Sequence, residues 1–148
     1  MATQSHKSDT AGATSKGPLA KAVDQQVIQD LLTSVGPGTA TVLITAFLEE
    51  MRMRISDIIT AIQTNDKHTM ILNAHSLKGA SGTFGANQIE AEAEAIESSG
   101  NAGNGLKKSQ LADLNRAQKE TEAALRQILA QIADTQKGND AANSIDGT

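Results

Sequence analysis

Apolar residues recur along this chain at steps of three and four, the spacing of one helix face. The first such run opens at Asp24, a residue suited to capping a helix N-terminus. Val23 before it and Ile28 after it fit a hydrophobic staple. Val27, Leu31 and Val35 then share one face, and Gly36-Pro37-Gly38 ends the segment. A longer run follows from about Thr39 to Thr64. Ile44, Leu48, Met51, Ile55, Ile58 and Ile62 form its stripe, and Leu43, Phe47 and Ile59 widen it. A stripe this broad calls for more than one packing neighbour. Asn65-Asp66 makes a turn and a new cap. A third run, Lys67 to about Phe84, places Met70, Ala74, Leu77, Ser81 and Phe84 on its buried side. After the break at Gly85-Ala86-Asn87, a fourth takes Ile89, Ala93 and Ile96 inward and turns Glu90, Glu92, Glu94 and Glu97 elsewhere. Gly100 to Gly105 reads as a loop. The last helix spans about Leu106 to Ala133, with a seam of Leu111, Leu114, Gln118, Thr121, Leu125, Ile128 and Ile132. The two polar members of that seam read as tolerated substitutions.

Short connections make successive helices antiparallel neighbours. The expected fold is therefore all-α, an antiparallel up-down four-helix bundle with a short extra N-terminal helix. The flanks lack this periodicity. Residues 1–22 are rich in Ser, Thr, Ala, Gly and Lys and read as a flexible tail, as do residues 134–148, which leaves a helical bundle over 23–133.

Composition narrows the chemistry. Phe47 and Phe84 are the only aromatic residues among 148, which disfavours a sandwich or barrel. With no cysteine, disulfides, zinc thiolates and thiol catalysis are excluded. A net charge of -4 without a basic stripe argues against nucleic acid. No uninterrupted apolar run approaches the ~20 residues of a bilayer span, and no signal peptide core is present. The expectation is a soluble cytoplasmic protein, a monomer that buries its own stripes and uses no cofactor.

The chemistry concentrates in His75-Ser76-Leu77-Lys78-Gly79. Residues three and four apart on a helix share a face, so His75, Lys78 and Gly79 stand together, with no side chain over the imidazole at Gly79. At ~100° per residue, His75 lies about 160° from Leu77 and points away from the core. Neutral imidazole is a nucleophile near pH 7; attack on an acyl phosphate would yield an N-phosphohistidine whose added negative charge Lys78 could offset. His75 and Glu97 stand eleven residues either side of Ala86, and equal rise along two antiparallel helices brings them to similar height. Glu97 is thus a candidate acceptor for the δ nitrogen, fixing the tautomer and leaving the ε nitrogen free, with Glu94 and Glu90 as weaker alternatives. A metal site would need several inward ligands at one height. His68, two turns away at ~10 Å, does not supply one.

The stretch Ala74-His75-Ser76-Leu77-Lys78-Gly79-Ala80-Ser81-Gly82-Thr83-Phe84-Gly85-Ala86 resembles the signature of histidine-containing phosphotransfer (HPt) domains, relay modules of multistep two-component signalling. The likeness extends over roughly residues 24–132, but only 74–86 is sharply diagnostic. The resemblance implies a four-helix bundle in which His75 accepts the phosphoryl group. Lys78 would stabilise that group and Gly79 would give access to it. Glu97 stands where many members carry a polar or acidic residue bonded to the histidine; Gln88 is a less suitable candidate. Ile71, Leu72 and Gly82 would border the docking site. Implied partners are response regulator receiver domains and hybrid histidine kinases, with the receiver supplying the catalysis and Mg²⁺. No nucleotide signature suggests a self-contained kinase. A non-catalytic helical adaptor using the same face is the alternative, and it differs in tolerating loss of the imidazole.

Overall fold

The computed structural model describes residues 22–146 and the side chains of residues 22–138. Except for Ala22, the stretch read as an N-terminal tail lies outside the described residues. Among the described residues four helices make up the fold: α1 (Gln25–Gln63), α2 (Lys67–Thr83), α3 (Asn87–Asn101) and α4 (Lys108–Asp146). Each packs against its chain neighbours, and α4 returns to α1, closing a ring. The contacts of α1 with both α2 and α4 explain its broad apolar stripe.

Local chemistry sets each boundary. Asp24 Oδ1 accepts from the Gln26 amide at 2.9 Å, and Asp66 Oδ1 accepts from the Thr69 amide at 3.1 Å. Such caps satisfy amides that have no partner within the helix. The first three helices end alike. Asn65, Gly85 and Gly103 each take a left-handed backbone, with φ of 60, 69 and 82°. The residue after each donates back to a carbonyl five positions earlier: Asp66 to Ala61, Ala86 to Ser81 and Asn104 to Ser99, at 2.8–2.9 Å. This is the Schellman closure, and it turns the chain sharply enough for adjacent helices to pack antiparallel.

The expected separate N-terminal helix is present as a kinked segment of α1. Gly36, at φ 84° and ψ 164°, breaks the helical geometry, and Pro37 follows where a missing amide costs least. Before the kink, the buried residue is Ile28, whereas Val35 at the end of the expected stripe is 38% exposed. Two further expectations are corrected. Helix α3 runs through Gly100 to Asn101 instead of stopping before the loop. Helix α4 continues past Ala133 to Asp146, although Asp134, Thr135, Lys137 and Gly138 are exposed; once nucleated, a helix extends by one hydrogen bond per residue without needing a packed face.

The core is continuous from end to end. Ile44, Phe47, Met51, Ile55 and Ile58 of α1 meet Leu77 of α2, Ile89 and Ile96 of α3, and Leu114 and Leu125 of α4, all nearly free of solvent. Phe47 stacks on Phe84 with ring centroids 4.8 Å apart. By length and hydropathy alone α1 meets the measure for a membrane-crossing helix, contrary to the expectation of no such segment. Gly36 and Pro37 interrupt it, and its Ile44, Phe47 and Leu48 belong to the bundle core. The two polar interruptions of the α4 seam differ in their surroundings. Gln118 donates to Glu122, which pairs with Arg52 of α1 at 3.0 Å, whereas Thr121 is fully buried with its hydroxyl unbonded.

Candidate functional site

Helix α2 is anchored on its inner side by Met70, Ala74, Leu77 and Ser81 and, towards α1, by Asn73. The Asn73 amide donates to the Thr69 carbonyl and accepts from Arg54 Nη1 at 3.0 Å. Periodicity did not single out Asn73; an asparagine in mid-helix was its only sequence signal. These anchors fix the rotation of α2, so the opposite face is presented to solvent. Leu72, His75, Gly79 and Gly82 line that face at steps of three, four and three. The His75 side chain is 66% exposed and Leu72 is 53% exposed.

Glu97 reaches this face from α3. Its Oε2 lies 2.8 Å from His75 Nδ1, and its Oε1 lies 2.8 Å from Lys78 Nζ. The lysine ammonium, foremost by its hydrogen bond, holds the Glu97 carboxyl below the usual range; partial burial opposes this and the bond to His75 assists it. The same bond raises the Lys78 ammonium. An ionised carboxylate can only accept, so the proton between Glu97 and the ring belongs to Nδ1. The lone pair of Nε2 is then free, and Nε2 bonds to no protein group among the described residues.

The other candidates fall in distinct places. Glu90 sits beside Gly82, where an added Cβ would meet its carboxylate at 3.2 Å. Glu94 is exposed. Gln88 donates to Glu120 of α4 at 2.8 Å, away from the histidine. Ile71 is half-buried, packed against α3 at Gly100, so Leu72 is the exposed apolar neighbour of the site. An added Cβ at Gly79 would have nothing within 4 Å; no helix of the bundle requires this glycine.

Gly100 was hidden by its position beside a glycine-rich loop, although it continues the spacing of Ile89, Ala93 and Ile96. A Cβ there would lie 2.5 Å from Ile71 Cγ1 and 3.0 Å from Met70 Cε. Ile71 is one turn before His75 and Gly100 is nearly one turn after Glu97. This close approach therefore sits next to the Glu97–His75 bond and sets the spacing that the glutamate must cross. Gly100→Ala is expected to lower unfolding free energy by about 1–3 kcal/mol through overpacking, and to weaken the Glu97–His75 bond. Urea denaturation and imidazole NMR would measure the two effects.

The Hpt domain profile matches residues 42–135, and the chain belongs to the Hpt domain family. Solved structures agree on the fold. The HPT domain of a sensor hybrid histidine kinase from Shewanella superposes with a TM-score of 0.63 at 21% identity, covering 74% of this chain and 95% of that one. Histidine-containing phosphotransfer protein B from Pseudomonas aeruginosa gives a TM-score of 0.59 at 20% identity, covering 80% and 96%. Comparison with curated proteins finds no match. Membership assigns a phosphotransfer role in phosphorelays, as a carrier and not an enzyme of the usual kind, in exchange with receiver domains and histidine kinases.

Proposed function

We propose that His75 accepts a phosphoryl group reversibly from the phosphoaspartate of one receiver domain and passes it to the aspartate of another. The observation that carries this reading is the exposed His75, with Nδ1 bonded to Glu97 and Nε2 unbonded, within the Hpt-matched segment. The Nε2 lone pair forms the N–P bond as the P–O bond to the receiver's aspartate breaks, and the carboxylate departs with that electron pair. Receiver domains supply the Mg²⁺ and the pocket that stabilises the transferring group. Exposed Leu72 and the bare backbone at Gly79 and Gly82 form the surface against which the receiver seats, with Ile71 behind them. The acidic balance of the chain favours protein partners over nucleic acid, and the protein acts as a cytoplasmic monomer.

The test mixes the purified chain with a panel of phosphorylated receivers. The chain should acquire acid-labile, base-stable label; a wild-type chain unlabelled across a broad panel would overturn the reading. Gly79 gives a sharper expectation. Gly79→Ala should raise stability by up to about 1 kcal/mol, since alanine is the better helix former and meets no clash, yet it should slow transfer by crowding the docked receiver. Measuring the urea midpoint and transfer rate on one preparation separates the opposite signs.

A further inference from the structure

Asn104 and Gly105 form the one Asn-Gly pair in the sequence, and they lie in the connection between α3 and α4. The closure of α3 decides how their amides are used. Gly103 is left-handed at φ 82°, and the Asn104 amide donates to the Ser99 carbonyl at 2.9 Å. The closure ends on Asn104, so the next amide, that of Gly105, has no acceptor among the described residues. Both residues are exposed. Even a Cβ added at Gly105 would meet nothing within 4 Å, so the space around its backbone is open. Lys107 and Lys108 follow at the start of α4, where a helix N-terminus favours negative charge.

The other asparagines with described side chains are placed differently. Asn65 and Asn101 are followed by amides that donate to Ala61 and Ser98, at 2.8 and 3.0 Å. Asn73 and Asn115 stand in mid-helix, where the following amide belongs to the helical ladder. Asn87 opens α3 and precedes Gln88, whose Cβ stands beside the nitrogen.

We propose that Asn104 is a site of spontaneous deamidation, a covalent modification whose co-reactant is water. The Gly105 nitrogen, having lost its proton to solvent, attacks Cγ of Asn104. The N–Cγ bond forms and the bond from Cγ to the side-chain nitrogen breaks. That nitrogen takes a proton from solvent and leaves as ammonia. Water then opens the resulting succinimide. Addition at Cγ gives aspartate, and addition at the main-chain carbonyl carbon of residue 104 gives isoaspartate. Nothing is oxidised or reduced. Either product adds one negative charge to the net -4 of the chain. The charge appears on a cleft that Asp66, Lys67 and Met70 also line, at the bundle end from which α2 carries His75 ~12 Å further on. Isoaspartate also lengthens the backbone by a methylene just before Leu106, which packs against the core. This chemistry needs no part of the phosphoryl-carrier reading.

Peptide mass spectrometry on the full folded chain is the test. Samples are aged in neutral and in mildly alkaline buffer, then digested in acid, where the reaction is slow. The peptide holding Asn104 should gain the mass difference between OH and NH₂. The gain should be faster in the alkaline sample, because the attacking nitrogen reacts as its anion. An isoaspartyl carboxyl methyltransferase with a labelled methyl donor should mark the aged chain and not the fresh one. Loss at Asn65 or Asn101 should be about tenfold slower, the factor for breaking one hydrogen bond. Gly105→Ala, which the open space tolerates, should slow the loss by crowding the nitrogen. Asn104→Gln should remove the methyl label, and circular dichroism checks that both variants keep their helices. Asn104 still intact after Asn65 or Asn101 has been modified would overturn the proposal, as would modification in urea with none in the folded chain. Equal rates in wild type and Gly105→Ala would overturn it too, since Gly105 would then not be the nucleophile.

Discussion

His75→Gln is expected to abolish labelling by every phosphorylated receiver that labels the wild-type chain, and to leave the helical circular dichroism unchanged. The reason is chemical: an amide has no basic nitrogen lone pair with which to attack phosphorus. Among the described residues the one other imidazole, His68, stands two turns away, ~10 Å along the helix, too far to substitute. The structural cost is small because the side chain is 66% exposed and, among the described residues, bonds only to Glu97. Surface changes of this kind usually fall within about 0.5 kcal/mol. Phosphotransfer assays and thermal melts on the same sample would separate lost chemistry from lost fold. Residual acid-labile label on His75→Gln would show that another residue carries the group. The variant also distinguishes the adaptor alternative, in which binding and signalling persist without the imidazole.

Gly85→Ala is expected to be among the most destabilising single-methyl additions in the bundle. Two independent effects coincide there. The backbone is left-handed at φ 69°, which costs a residue with a Cβ roughly 1–2 kcal/mol. An added Cβ would also lie 2.8 Å from Val27 Cβ and 3.2 Å from Asp24 Cβ, overpacking worth about 1–3 kcal/mol. The combined loss should be about 2–5 kcal/mol, with the larger part following the clash if the N-terminal segment stays docked. That segment is fastened at this point, where the Asp24 amide donates to the Gly85 carbonyl at 2.8 Å. A urea midpoint close to wild type would refute the docking account. Gly79→Ala is the matched control: the same added methyl, within a helix and free of contacts, should shift the midpoint the other way.

The helices were legible because their periodicity is strong. The stripes from Ile44 to Ile58, from Met70 to Ser81 and from Ile89 to Ile96 are buried as their spacing implied. The turns were legible because Asn65, Gly85 and Gly103 are residue types that tolerate a left-handed backbone. Less legible were features that depend on two helices at once. Gly100 resembled the start of a loop until Ile71 was placed against it. Gln118 resembled a defect in a seam until it joined Glu122 and Arg52. Single-sequence periodicity records which face of a helix is apolar, but not which side chain on a neighbouring helix a polar residue will meet.

The candidate site divides along the same line. His75, Lys78 and Gly79 share a face through the repeat of a single helix, and that grouping needs nothing beyond local sequence. Counting residues from the turn at Ala86 also brings Glu97 to the height of His75, because both helices rise equally per residue. Height alone leaves open which carboxylate lies within reach, and what else competes for it. Those points depend on the lateral distance between α2 and α3 and on the rotation of each about its axis. The packing of Ile71 on Gly100 sets the first, and the buried faces of Leu77 and Ile96 set the second. Sequence by itself therefore determined the helices, their order and the exposed histidine, because these follow from short-range geometry. Only the tertiary structure decided that Glu97 joins His75 to Lys78, because a bond of 2.8 Å depends on how closely two separate helices pack.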